Sequence, residues 1–179
     1  LARLDSVPMV PGSFLKLLVA LGGQRIEQLL RLEWSDVDFD NNVITLRDGK
    51  GRPGLGVRDH LVPLTQTARQ ILEQLQSINQ QSSPFISVGG KRMDAATPSK
   101  WVNKISKQLN QEHDIDTFRG GDLRRTCETL LASIGIQKEI RAQLLSHGRS
   151  SGVQARHYDR YQYLSEKREA LAKWEEYLN

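Results

Sequence analysis

Cysteine is nearly absent from this 179-residue chain, and Cys127 is the single one. No internal disulfide can form, and no thiolate-rich zinc site can be built. Cys127 falls in an apolar helical pattern, where a small buried hydrophobe is the expected role, not a reactive thiol. Long hydrophobic runs are also missing. No stretch approaches the roughly 20 apolar residues that span a bilayer, and no signal peptide opens the chain, so a cytoplasmic protein is expected. Internal repeats, low-complexity tracts and long linkers are absent too. What remains is enough chain for one domain with a real core, and too little for two large ones.

Aromatic residues are few, yet three of the four tyrosines crowd into "ARHYDRYQY", residues 155 to 163. Charge is gathered as well. The net charge of +4 permits a nucleic-acid partner without requiring one. From Lys91 to Lys107 five basic residues face one acid, Asp94, and from Lys138 to Arg160 five basic residues face Glu139 and Asp159. The second of these stretches also holds His147 and Tyr158, the first of the clustered tyrosines. A solvated basic face explains such charge equally well on its own.

Hydrophobic periodicity predicts a mostly α chain with a small antiparallel β-sheet near the front. Phe14, Leu17, Leu18 and Leu21 predict a helix after Pro11-Gly12, interrupted by Gly22-Gly23 and resumed through "RIEQLLRLEWSDV". "NVITL" and "HLVPL" read as strands joined by the Gly-rich, basic "RDGKGRPGLGVRD", with Pro63 confining the second to an edge or an end. A helix follows from Thr65 on the stripe Ala68, Ile71, Leu72, Leu75 and Ile78. "PFISV" is a further strand candidate, and Pro98 marks a helix start through "SKWVNKISKQL". Asp122 is the expected N-cap of "LRRTCETLLASI", whose face is Leu123, Cys127, Leu130 and Ile134, and Gly135 ends that helix. "QKEIRAQLL" and "SSGVQARHYDRYQ" predict two short helices. The last helix, from Ser165, carries Leu171, Trp174 and Leu178, a stripe expected to dock on its own domain or on a neighbouring subunit.

The polar residues beside these stripes carry the chemistry. Arg25 stands at a helix start directly after the Gly-Gly break, and Arg124 lies in the first turn of another helix. Two planar guanidinium forks suit the oxygens of one phosphate, and fixed cations can stabilise a developing phosphorane without a metal. Lys50 lies at the tip or shoulder of a glycine hairpin, suited to protonate a leaving oxygen. His147, ending a helix, is suited to acid, base or hydrogen-bond work, and a tyrosine can attack phosphorus and conserve the bond as an ester. Each of these residues, taken singly, has an ordinary reading: capping, ion pairing or solvated charge.

Their order and spacing distinguish them. "LGGQRIEQLLRLEWSDVDF" resembles the first arginine box of the tyrosine recombinases, the phage integrase family, with its form near T-G-L-R-x-x-E-L-L-x-L-x-W-x-D-I. "VITLRDGKG…HLVPL" resembles the lysine hairpin, "GDLRRTCETLLASIGI" the second arginine box, "IRAQLLSHG" the L-L-G-H box, and "VQARHYDR" the segment carrying the nucleophile. Five elements in the family's order cover roughly residues 13 to 160. The tail "YLSEKREALAKWEEYL" is similar to that of prophage and genomic-island integrases.

The resemblance implies a tyrosine-recombinase catalytic domain spanning residues 1–179, with a C-terminal helix at 164–179; the N-terminal core-binding domain usual in the family is expected to be absent from these residues. It implies Arg25 and Arg124 as the clamp arginines, Lys50 as general acid, His147 as the box histidine and Tyr158, 11 residues after His147, as nucleophile. Tyr161 and Tyr163 are left to packing or backbone contacts. The implied reaction is site-specific cleavage and rejoining of DNA through a 3′-phosphotyrosyl link, with no cofactor and no metal. Double-stranded attachment sites and further copies of the chain in a synaptic complex are the implied partners, with host or phage accessory factors beside them. The implied place is the cytoplasm, on the nucleoid when DNA is bound. A catalytically degenerate DNA-binding module and a type IB topoisomerase-like enzyme are the alternatives. One position departs from the pattern: Gly121 stands where the family has a histidine three residues before the second arginine. Arg119 and His60 are the candidates to supply that donor, and the glycines at 120 and 121 favour Arg119.

Overall fold

The computed structural model describes residues 4, 6–48, 58–78, 81–86, 90–146 and 163–179. Helix α1 (Met9–Ala20) is the central element, burying Phe14, Leu17 and Leu18 completely. It begins before Pro11-Gly12 instead of after them. Pro11 falls in the first turn, where its missing N–H has no intrahelical acceptor to satisfy, so the proline is tolerated inside the helix. Gly22 and Gly23 then take positive φ angles of 76° and 88° and turn the chain into the short helix α2 (Ile26–Leu30).

The helix expected through "RLEWSDV" stops at Leu30. Asp36 diverts it. Its carboxylate accepts the Glu33 N–H at 3.1 Å and pairs with Arg47 at 2.8 Å, which favours a 3₁₀ turn at Trp34–Asp36 over a continued helix. A two-residue strand β1 (Val37–Asp38), unforeseen in the sequence, follows and pairs with β2 (Val43–Asp48). β3 (Arg58–Pro63) pairs antiparallel with the other side of β2, from Val43 opposite Pro63 to Asp48 opposite Arg58. The order β1-β2-β3 leaves Pro63 at the end of an edge strand, as expected.

Helix α3 (Gln66–Ile78) buries Ala68, Ile71, Leu72 and Leu75, while Ile78 at its end is exposed. "PFISV" supplies one isolated bridge, Ile86 to Arg92, and its Phe85 meets Phe14 edge-on at 5.0 Å. Helix α4 (Ala96–His113) again admits a proline, Pro98, in its first turn. In α5 (Gly120–Ser133) Asp122 is the third helical residue, not the N-cap; its carboxylate accepts the N–H of the N-cap Arg119 at 2.8 Å. The inward face centres on Cys127 and Leu131, so Leu123, Leu130 and Ile134 are only half-buried. Arg124 shares that inward face at helical spacing. The helix ends in a Schellman motif, with Gly135 N–H on Ala132 O and Ile136 N–H on Leu131 O. α6 (Lys138–Leu144) precedes α7 (Leu164–Leu178). The helix expected over "SSGVQARHYDRYQ" lies outside the described residues.

The tail docks on its own domain. Ala170, Leu171 and Trp174 join the core, and Trp174 Nε1 donates to the Val19 carbonyl at 2.8 Å. Glu175 accepts the N–H groups of Gln66 and Thr67 at 3.2 and 2.6 Å, capping α3 from another element. Lys167, buried to 1% exposure, donates from Nζ to the Leu61 carbonyl of β3 at 2.8 Å. Among the described residues no helix is long and apolar enough to cross a membrane.

Core burial of α7 predicts a large effect of Trp174→Ala on the isolated chain. Urea unfolding should show a loss of about 3–5 kcal/mol, independent of protein concentration. A loss under about 1 kcal/mol, or a melt that sharpens with concentration, would place the stripe on a neighbouring subunit.

Candidate active site

The Gly-Gly break positions the site. A Cβ on Gly23 would lie 2.8 Å from Cys127 Cβ and 3.2 Å from Arg124 Cα, so only glycine lets the α1–α2 turn lie against α5. That approach puts the Gly23 carbonyl within reach of Arg124, whose Nη1 donates to it at 2.8 Å. Two residues on, Arg25 is the N-cap of α2, with extended backbone that aims it away from the helix axis. The two arginines, 99 residues apart in sequence, thus meet across one close backbone contact.

The turn after α6 ties the pair together. Its three consecutive carbonyls each accept side-chain donors. Leu144 O takes Gln24 Nε2 at 3.1 Å and His60 Nε2 at 3.0 Å, which requires the hydrogen on that imidazole nitrogen. Leu145 O takes Arg124 Nη2 at 2.5 Å, and Ser146 O takes Arg25 Nη2 at 3.2 Å. Ser146 itself has φ of 52°, a left-handed backbone that costs a non-glycine residue about 1 kcal/mol. Asp48, the last residue of β2, closes the arrangement. Its Oδ2 accepts Arg25 Nη1 at 3.1 Å and Ser146 Oγ at 2.6 Å.

Three carbonyls and the single carboxylate of Asp48 fix these two guanidinium groups without fully neutralising them, as far as the described residues go. Burial, and next the charge of Arg25, push the Arg124 pKa down to about 10, with Glu128 and Asp48 acting the other way. At neutral pH Arg124 stays protonated, so the site holds two close cations in partly desolvated surroundings. Each guanidinium has five N–H donors, and the contacts above use two on each arginine. Among the described contacts, donors remain for an oxyanion. Cys127, beneath them, has its thiol pushed up to about 11 by burial, which keeps it protonated and makes it the packing residue expected.

Of the sequence-predicted site residues, Arg25 and Arg124 are brought together. Lys50, His147, Tyr158 and Tyr161 lie outside the described residues. Tyr163 is the N-cap of α7, and its hydroxyl donates to Glu139 Oε1 at 2.7 Å. The preference for Arg119 at the gap left by Gly121 finds no support in the contacts: Arg119 is exposed, and no described hydrogen bond joins its guanidinium to Arg25 or Arg124. His60 is the candidate held against the site, because β3 runs beside β2 and turns its ring onto Leu144 O. Gly121 has open space at its Cβ position. Gln24, Asp48 and Ser146 were not marked in the sequence. Their one signal was adjacency, since each lies within two residues of a motif residue while its partner is 98 to 120 residues away.

A family model described as the phage integrase family matches residues 3–163. The chain belongs to that family. The integrase of Shigella phage Sf6 is 26% identical over 157 residues, covering 87% of this chain and 38% of the relative. The chain therefore spans about two fifths of that relative's length. Among solved structures, the XerA recombinase crystal structure superposes with a TM-score of 0.65 at 21% identity, covering 96% of this chain and 60% of that one. A lambda integrase dimer bound to a COC′ core site gives 0.62 at 19% identity, covering 82% and 52%. Phage integrases and these recombinases thus share the fold seen here, a mostly helical domain with a small antiparallel sheet.

The two glycines make opposite predictions. Gly23→Ala forces a left-handed φ and a clash with Cys127, so equilibrium denaturation should show a loss of roughly 2–4 kcal/mol. Gly121→Ala, in a helix and in open space, should change stability by no more than about 1 kcal/mol, in the stabilising direction. Equal effects at both sites would contradict the close approach.

Proposed function

We propose that the chain is the catalytic domain of a site-specific DNA recombinase of the integrase type. In this reading the Tyr158 hydroxyl attacks a scissile phosphate, forming a 3′-phosphotyrosyl ester and releasing a 5′-oxygen that Lys50 protonates. Arg25 and Arg124 stabilise the pentacoordinate phosphorane, and His147 adds a hydrogen bond. A 5′-hydroxyl from a second strand then reverses the step, and the bond energy is conserved throughout. The observation that carries this reading is the half-buried, under-neutralised pair Arg25–Arg124, held by three carbonyls and the Asp48 carboxylate, with donors left over by the described contacts. Cations in fixed positions act without reorganising as charge develops, which is where such a site gains most of its rate.

Helix α4 supports a duplex partner. Lys100, Lys104 and Lys107 are exposed along it with Asn103, and the Lys104 ammonium lies 4.9 Å from the Trp101 ring centroid. Such a row tracks a phosphate backbone and makes binding fall steeply with salt. Further copies of the chain in a synaptic complex, and accessory proteins of the host or the element, complete the proposed assembly.

The test is covalent trapping on a nicked suicide duplex carrying the parent element's own attachment site. A denaturation-resistant adduct should form with the wild-type sequence and with Tyr161→Phe and Tyr163→Phe. Tyr158→Phe should bind the duplex with unchanged affinity and give no adduct. Adduct retained by Tyr158→Phe would reassign the nucleophile, and no adduct from any form would leave a DNA-binding module without chemistry.

A further inference from the structure

We propose that Asp48 is a built-in anion that holds Arg25 in place while the site is empty and is displaced from it by the incoming phosphate. This inference rests on the reading of Arg25 and Arg124 as a phosphate clamp. The two terminal nitrogens of Arg25 differ in what they meet: Nη2 meets a neutral carbonyl, Ser146 O, while Nη1 meets a carboxylate, Asp48 Oδ2. Arg124 has carbonyls at both terminal nitrogens and, among the described residues, no carboxylate hydrogen-bonded to it. Asp48 is thus the carboxylate in contact with the pair among the described residues. It is buried to 11% side-chain exposure against 23% for Arg25, so the ion pair is partly shielded from solvent.

A carboxylate at 3.1 Å occupies space and charge that a phosphate oxygen needs on the same nitrogen. The geometry also gives Asp48 somewhere to go. The same Oδ2 accepts the Ser146 hydroxyl at the shorter distance of 2.6 Å, and that bond can persist when Arg25 turns to a ligand. Displacement exchanges one charge-assisted bond on Arg25 for another, while β2 and the 144–146 turn stay tied through Ser146. In the empty state, Asp48 offsets the repulsion between the two guanidinium groups. In the loaded state its negative charge stands beside the phosphate and weakens binding. Asp48 therefore lowers affinity for the ground-state anion while keeping the clamp assembled, and it acts as a positioning residue.

Inorganic phosphate is the probe, titrated into the whole chain while the Nε–Hε NMR signal of Arg25 is followed, assigned by its loss in Arg25→Lys. That signal separates the clamp from the lysines of α4. Asp48→Asn keeps the shape and an acceptor for Ser146 but removes the charge, and it should bind phosphate roughly fivefold more tightly than the wild type. A residue that only braced the turn gives the opposite result, weaker binding. Equal or weaker binding by Asp48→Asn, with the wild-type Arg25 signal still responding, overturns the displacement. No response of Arg25 in either protein overturns the phosphate clamp itself. Should Asp48→Asn not fold, Asp48→Ser removes the same charge and carries the same expectation.

Discussion

Two guanidinium groups repel each other, and burying them raises that cost. Keeping Arg25 and Arg124 side by side is the demand around which the rest of this domain is arranged. The solution is neutral on three sides. Backbone carbonyls of Gly23, Leu145 and Ser146 take hydrogen bonds from the arginines, and among the described residues one carboxylate, Asp48, supplies the balancing charge. A second carboxylate in that place would neutralise the pair and leave it with little attraction for a ligand. Carbonyl dipoles instead fix orientation while preserving charge, the state an oxyanion site requires.

That arrangement depends on backbone proximity, and so on Gly23 and on the turn at 144–146. The turn is held by four side-chain donors: Gln24 and Arg25 from the segment between α1 and α2, His60 from β3 and Arg124 from α5. β3 is itself held from outside by Lys167 of α7, which donates to Leu61 next to His60. Packing of the tail and geometry of the site are therefore linked through two adjacent residues of one strand. The interior position of Trp174 has a consequence beyond stability, because loosening α7 loosens the strand that carries His60.

How much of this was legible in the sequence follows from the range of each interaction. Local periodicity marked α1, α3 and α7 and both longer strands, because burial on one face leaves a repeat in the chain. The prolines at 11 and 98 misplaced two helix starts, since first-turn prolines look the same as those preceding a helix. Asp36 ended a helix that its apolar pattern continued, through hydrogen bonds made to Glu33 and Arg47. In the site, Arg25 and Arg124 stood out through motif spacing. Asp48 and Ser146 did not, as a bond spanning 98 residues leaves no periodic trace. The glycines at 120 and 121 favoured Arg119 over His60 by letting its guanidinium fold back toward Arg124, yet strand pairing brings His60 to the turn from 84 residues away.

Whether Arg25 and Arg124 serve one oxyanion together is read from anomalous diffraction by crystals of the chain soaked in tungstate. One tetrahedral anion should lie within about 3 Å of donor nitrogens from both arginines, with Arg124 still bonded to the Gly23 and Leu145 carbonyls. An anion bound to one arginine alone, or found only on the lysines of α4, would contradict a shared oxyanion site.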